Sequence, residues 1–312
     1  MTAFAFVFPG QGSQAVGMLD AWGDHPAIRD TLAEANDALG EDIAALISQG
    51  PKESLDLTTN TQPVMLTAGV ACWRAWLAEG GAMPALVAGH SLGEYTALVA
   101  AGALSLKDAL PLVRFRAQAM QEAVPVGTGG MAAILGMDAE AVKAGCAEAA
   151  AAVGEPVEAV NFNDPKQTVI AGTKAAVEKA CEVLKAAGAK RALPLAVSAP
   201  FHSSLMKPAA ERLKEKLLAT PFAAPSIALI NNIDVSVVDQ PDAMRDALYR
   251  QAFGPVRWVE TIQAMKSRGM SHVIECGPGK VLAGMVKRID GELLSATIFD
   301  PASLQEAKGL LA

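Results

Sequence analysis

The pentapeptide Gly89-His90-Ser91-Leu92-Gly93 is the strongest chemical signal in the chain. A serine in the pattern GxSxG is a nucleophile elbow when a strand leads in and a helix leads out. Ala85 to Ala88 reads as that strand, and the chain from Tyr95 onward reads as that helix. The turn between them is so sharp that side chains at 89 and 93 would strike neighbouring backbone, so both positions need glycine. The bend lifts the Ser91 hydroxyl into the open at a helix N-terminus. There the backbone N–H of Leu92, aided by the helix dipole, can stabilise an oxyanion. The chemistry this suits is acyl transfer through a serine ester.

Such a serine needs a base, and the chain has 4 histidines. His90 precedes the nucleophile, with its side chain expected to point away across the elbow. His25 stands before Pro26 at a helix start, a surface position. His272 opens an apolar strand. His202 lies in the loop Ser198-Ala199-Pro200-Phe201-His202-Ser203-Ser204, and loops that follow scaffold elements are where catalytic groups tend to sit. His202 is therefore the expected base. No third acid announces itself: Asp234, Asp239 and Asp242 follow a strand and are candidates, and a backbone carbonyl serves equally well to hold the imidazole tautomer.

The elements that must position these groups read as α/β. Ala3 to Phe8 is a buried strand ending in Pro9-Gly10. Met18 to about Ile47 has helical rhythm. Thr61-Gln62-Pro63 opens a long helix through Trp76, with Pro63 placed in its first turn. Ser105-Leu106-Lys107-Asp108 caps the helix that runs to Ala123. The run from Val124 to Gly130 is a linker, and beyond it the rhythm changes. Strand 131–135, helix 138–152, strands 157–161 and 168–171 with a turn at Asn163-Asp164-Pro165, helix 173–187 and strand 191–195 spell βαββαβ, a ferredoxin-like unit. After Ser198, helix 209–218, strands 227–230 and 272–275 and a helix from Lys280 follow. The expected architecture is a hydrolase-like α/β core with a parallel-type sheet, over residues 1–127 and 197–312. A small ferredoxin-like subdomain is inserted at 128–196.

Composition narrows the function. Hydrophobic residues make up 51% and charged residues 19%, which gives a soluble globular chain with a large core. A net charge of −7 without basic runs argues against nucleic acid. No apolar stretch is long enough to span a membrane, and the apolar N-terminus lacks a basic leader and cleavage site, so a cytoplasmic chain is expected. The 4 cysteines stand apart as buried thiols, and nothing has metal-ligand spacing. Gly10-Gln11-Gly12-Ser13-Gln14-Ala15 matches a dinucleotide fingerprint only locally, because the second strand and its acid are missing. Gly277-Pro278-Gly279-Lys280 lacks the rest of a phosphate loop and reads as a tight turn.

Four blocks in order carry a family resemblance: Phe8-Pro9-Gly10-Gln11-Gly12-Ser13-Gln14, Gly89-His90-Ser91-Leu92-Gly93-Glu94-Tyr95, Met120-Gln121-Glu122-Ala123-Val124-Pro125, and Gly277-Pro278-Gly279-Lys280-Val281-Leu282. Together they resemble the bacterial malonyl-CoA:acyl carrier protein transacylases of type II fatty acid synthesis. The acyltransferase domains of polyketide synthases are similar. The resemblance implies that Ser91 is the nucleophile and His202 its base. It implies that the backbone N–H groups of Gln11 and Leu92 form the oxyanion hole. It puts Arg116 on the malonyl carboxylate, as a planar and permanently charged partner. Arg114, two residues away on the same helix, faces elsewhere. The main-chain carbonyl of Gln251 would orient His202, and Phe201 goes with the unbranched malonyl group. No cofactor is implied.

The implied partners are a coenzyme A thioester and an acidic acyl carrier protein. Lys185, Lys190 and Arg191, or Lys207, Arg212, Lys214 and Lys216, are candidates to dock the carrier. A monomer is expected. The rival reading is a serine esterase or thioesterase, but α/β-hydrolases order their triad serine, acid, histidine. Here no convincing acid lies between Ser91 and His202.

Overall fold

A computed structural model of the chain describes residues 2–197 and 199–312. Met1 and Ser198, which fall in the expected first strand's approach and in the expected His202 loop, lie outside the described residues. The larger sheet has five parallel strands, β1 (Phe4–Phe8), β2 (Leu86–Gly89), β7 (Ala228–Leu229), β8 (His272–Cys276) and β9 (Leu294–Ile298), in the order β7-β2-β1-β8-β9. The second sheet is antiparallel: β3 (Gly129–Leu135), β4 (Val157–Asp164), β5 (Gln167–Thr173) and β6 (Arg191–Pro194), in the order β4-β5-β3-β6. That order, with a helix after β3 and another after β5, is the ferredoxin-like arrangement expected from the sequence.

β1 is central and wholly buried, as a parallel strand covered on both faces must be. Its side chains alternate between two cores. Phe6 packs edge-on against Trp73 and Trp76 of the helix Thr58–Ala78, with centroids 5.6 and 5.4 Å away. Ala5 and Val7 face a second core with Trp258 and Met265. The inserted sheet has its own core around Ile134, Cys146, Ile170 and Leu184. It is sewn to the large sheet's domain along β4, where Phe162 N–H donates to Val256 O at 3.0 Å and Val256 N–H to Val160 O at 2.8 Å.

Several boundaries differ from the sequence reading, for local reasons. The long helix starts at Thr58, so Pro63 is inside it and not in its first turn. Proline has no N–H for the carbonyl of Thr59, four residues back. Arg114 supplies the missing donor, Nη1 to Thr59 O at 2.8 Å. The stretch 18–47 is not one helix but a 3₁₀ turn (Asp20–Trp22) and helices Pro26–Leu39 and the start of Ile43–Gln49, broken at Gly23 and Gly40. β4 runs through Asn163 and Asp164, and the turn falls on Pro165-Lys166, where Asp164 Oδ1 accepts from Lys166 N–H at 2.8 Å. Strand β9 and helices Pro241–Gln251, Trp258–Ser267 and Pro301–Leu311 complete the fold without a counterpart in the sequence reading. Among the described residues no helix is long and apolar enough to cross a membrane.

Candidate active site

Ligands of parallel sheets bind beyond the carboxyl ends of the strands. β1 and β2 are neighbours in register, Phe8 beside Gly89, so the loops that leave them run side by side. One carries Gln11, the other Ser91. The glycines make this approach feasible: a Cβ on Gly89 would lie 1.9 Å from the backbone of Gly93, and one on Gly93 would lie 2.0 Å from Phe8 O. Ser91 itself sits at φ +52° and His202 at φ +65°. Non-glycine residues rarely hold that conformation unless the surroundings impose it, and such positions cluster at functional sites.

Ser91 Oγ lies 2.6 Å from His202 Nε2. The other ring nitrogen, Nδ1, is 2.8 Å from the main-chain oxygen of Gln251. A carbonyl only accepts, so Nδ1 carries the proton and Nε2 presents its lone pair to the serine hydroxyl. Gln251 ends the helix Pro241–Gln251, and carbonyls of a last helical turn lack intrahelical partners. The negative end of that helix therefore stands where a triad acid would stand beside the ring. Asp234 is held instead by a fork from Arg250 at 2.7 and 2.6 Å, Asp239 by Gln240, and Asp242 by Arg245. Burial, reinforced by the charge of Arg116, pushes the His202 pKa down to about 3. The imidazole is thus neutral, the form a base requires.

Arg116 is 2% exposed, although its helix looks solvent-facing in sequence. Nη1 donates to Gln62 Oε1 at 2.8 Å, and Nη2 donates to Gln251 Oε1 at 3.1 Å and to Ser91 Oγ at 3.3 Å. Its neighbour Arg114 turns outward to Glu41, Thr59 and Asn60. Gln11, Leu92, Phe201, Ser91, His202 and Arg116 line one cavity. Leu92 is the N-cap of the helix Gly93–Ala100. Among the described residues neither the Leu92 nor the Gln11 backbone N–H donates a hydrogen bond. His90 does not bond to Ser91; it borders the cavity, and its ring packs edge-on against Trp258 with centroids 5.4 Å apart. Its Nε2 meets Asn163 Oδ1 of the insert at 2.8 Å.

Three buried residues of the site escaped sequence reasoning. Asn232 staples the elbow: Nδ2 donates to Gly89 O at 2.7 Å and Oδ1 accepts from Ser91 N–H at 2.8 Å. Glu94 accepts from Asn232 N–H at 2.9 Å and from Gln251 Nε2 at 3.0 Å. Gln62 orients Arg116. The one available signal was polarity out of place. Gln62 stands at the head of an apolar run inside its helix, and Glu94 stands in the apolar run that follows the elbow.

An acyl transferase domain model matches residues 5–292. The malonyl CoA-acyl carrier protein transacylase of Salmonella typhimurium is 53% identical over 308 residues, 98% of this chain and 99% of that protein. The crystal structure of an acyl-carrier-protein S-malonyltransferase from Burkholderia pseudomallei superposes with a TM-score of 0.96 at 67% identity, over 98% of this chain and 99% of that one. A type II PKS acyl carrier protein in complex with its malonyl-transacylase supplies another likeness. That chain has a TM-score of 0.96 and 51% identity, over 98% of this chain and 99% of its own. With its elbow, its fold and its full length thus matched, the chain belongs to the acyl transferase family and, within it, to the malonyl CoA-acyl carrier protein transacylases.

Proposed function

We propose that the chain transfers a malonyl group from malonyl-CoA to the pantetheine thiol of acyl carrier protein, through an ester on Ser91, in support of fatty acid synthesis. The observation that carries this reading is a guanidinium beside a paired nucleophile and base: Arg116 Nη2 is 3.3 Å from the same hydroxyl that lies 2.6 Å from His202. The malonyl carboxylate stands two bonds beyond the carbonyl carbon that Ser91 attacks, so it falls within the reach of Arg116. A simple esterase has no use for a buried cation there.

In the first half-reaction His202 takes the Ser91 proton as Oγ attacks the thioester carbon. The oxyanion lies toward the N–H groups of Gln11 and Leu92, each worth about 3 kcal/mol. The C–S bond then breaks, and the departing thiolate takes the proton back from His202. In the second half-reaction the carrier's thiol gives its proton to His202 and attacks the malonyl ester, and Ser91 regains the proton as it leaves. Oxidation level does not change at any step, so the exchange as written needs no cofactor.

The carrier's route follows a groove. Met131, Leu195 and Val197 line both the Ser91 cavity and an adjoining cleft on the insert, and that cleft continues to Lys174 and Lys185. In the alternative basic cluster, Arg212 is paired with Glu122 and Lys214 lies on the Tyr249 ring. The insert, with Lys185, Lys190 and Arg191, is the better dock. In this reading residues 128–196 act as one wall of the Ser91 cavity and 1–127 with 197–312 as the other, in a monomer working in the cytoplasm.

The test is mass spectrometry of the protein mixed with malonyl-CoA, followed by addition of holo carrier protein. The expected result is a malonyl adduct on Ser91 that carrier thiol discharges. Rapid loss of the adduct to water, with no acylated carrier formed, would favour the thioesterase instead.

A further inference from the structure

Glu94 is a buried acid that the transfer mechanism leaves unused. It stands one residue past the elbow glycine, on the helix Gly93–Ala100, and it is 2% exposed. Burying a carboxyl there is costly unless its oxygens are occupied. Its Oε2 accepts from the Asn232 backbone at 2.9 Å and from Gln251 Nε2 at 3.0 Å. Burial lifts its pKa to about 7, against the opposing pull of its hydrogen-bond donors and of Arg116. Protonated or not, it offers an oxygen to these two donors.

What that oxygen does is visible in Gln251. The two ends of an amide are nearly equal in size, so their sense is set by partners alone. In the observed sense Oε1 accepts from Arg116 Nη2 at 3.1 Å, while Nε2 donates to Ser91 O at 3.0 Å and to Glu94. Reversed, the amide would aim N–H groups at a guanidinium, donor against donor, and its oxygen at the Ser91 carbonyl and at the Glu94 carboxylate, which in its ionised form only accepts. Glu94 and Ser91 O together exclude the reversal, and only Glu94 is a side chain that can be changed.

We propose that Glu94 is a positioning residue: it locks the sense of the Gln251 amide and, through that amide, holds Arg116 where the guanidinium selects acyl groups that end in a free carboxylate. This rests on Arg116 as the carboxylate clamp. Glu94 touches no reacting atom. Its influence is on selectivity between acyl groups, in addition to whatever it contributes to folding.

The test is kcat/KM for malonyl and for acetyl transfer from their coenzyme A thioesters to holo carrier protein. It compares the unaltered enzyme with Glu94→Ala, Glu94→Gln, Gln251→Met and Arg116→Ala. Glu94→Ala should lower the malonyl-over-acetyl ratio about tenfold, the size of one lost charge-assisted hydrogen bond. Most of that loss should fall on KM for malonyl-CoA. Glu94→Gln should restore the ratio to within roughly threefold, because its amide oxygen can meet both donors. Gln251→Met keeps the main-chain carbonyl on His202 and should lower the ratio as Glu94→Ala does; it carries the test should Glu94→Ala fail to fold. In the Arg116→Ala background, Glu94→Ala should change the ratio no further. Equal losses for both acyl groups overturn the proposal, as does a fresh loss in that background. An unchanged ratio in Arg116→Ala refutes the clamp itself. A changed ratio there, with none in Glu94→Ala and Gln251→Met, refutes the positioning alone.

Discussion

Replacing Arg116 by alanine separates the proposed clamp from the rest of the machinery. In the unaltered protein its guanidinium is buried and held by Gln62 and Gln251, with Nη2 3.3 Å from Ser91 Oγ. Without it, a malonyl carboxylate must enter the same buried space with no countercharge. Leaving one partner of a buried ion pair alone costs about 3–5 kcal/mol. At about 1.4 kcal/mol per factor of ten, kcat/KM for malonyl-CoA should fall roughly 140- to 3,700-fold. Acetyl-CoA brings no carboxylate and should lose less than about tenfold, the consequence of two amide oxygens left without a donor. Steady-state transfer to the carrier with each thioester measures both. There is also a consequence for pH. The charge of Arg116 is the second cause, after burial, that holds the His202 pKa low, and only the neutral ring accepts the serine proton. Removing the charge raises that pKa, so acetyl transfer by Arg116→Ala should fail at a higher pH on acidification than it does in the unaltered enzyme. Equal losses for the two thioesters, or an acid limb that moves to lower pH, would refute the reasoning.

Two further outcomes are expected. Gly89→Ala puts a methyl 1.9 Å from the Gly93 backbone, which has no flexible side chain to yield. It should cost about 3 kcal/mol of stability or displace the elbow, seen as a fall in Tm together with at least a ~100-fold slower appearance of the malonyl-serine adduct; an unchanged Tm with near-normal acylation would contradict the elbow geometry. Glu275 is buried beneath the helix Val281–Ile289, accepts from Ala283 N–H at 2.8 Å, and has its pKa raised by burial from 4.5 to about 7. The native state keeps this proton longer than the unfolded chain does, so the stability it lends is complete below about pH 4.5 and is lost as pH rises through about 7. Glu275→Gln should remove that loss, about 3 kcal/mol at most by pH 8, and flatten the rise in stability on going from pH 8 to pH 5 in denaturant titrations. An unaltered slope would mean that Glu275 ionises freely in the fold.

Local chemistry makes much of this protein legible in its sequence. The elbow follows from two glycines around Ser91, because a bend that tight excludes side chains. The insert follows from the change of rhythm after Val124-Pro125, because alternating short strands and helices leave a periodic trace. His202 follows by elimination among few histidines. What local pattern leaves hidden is contact between residues remote in sequence; the meeting of Ser91, His202 and the Gln251 carbonyl is expected only through the family resemblance. No periodicity reveals that the helix ending at Gln251 points its last carbonyl at His202, that Asn232 clasps the strand before Ser91, or that Glu94 and Gln62 frame Arg116. On its helix alone Arg116 looks like a solvated charge, since burial belongs to the neighbours and not to the residue. Sequence determined which groups were present and which bend raised the nucleophile, for those depend on backbone sterics within a few residues. Only the tertiary structure decided which groups meet, because hydrogen bonds between residues 49 to 157 positions apart exist only once the sheets and helices have closed around them.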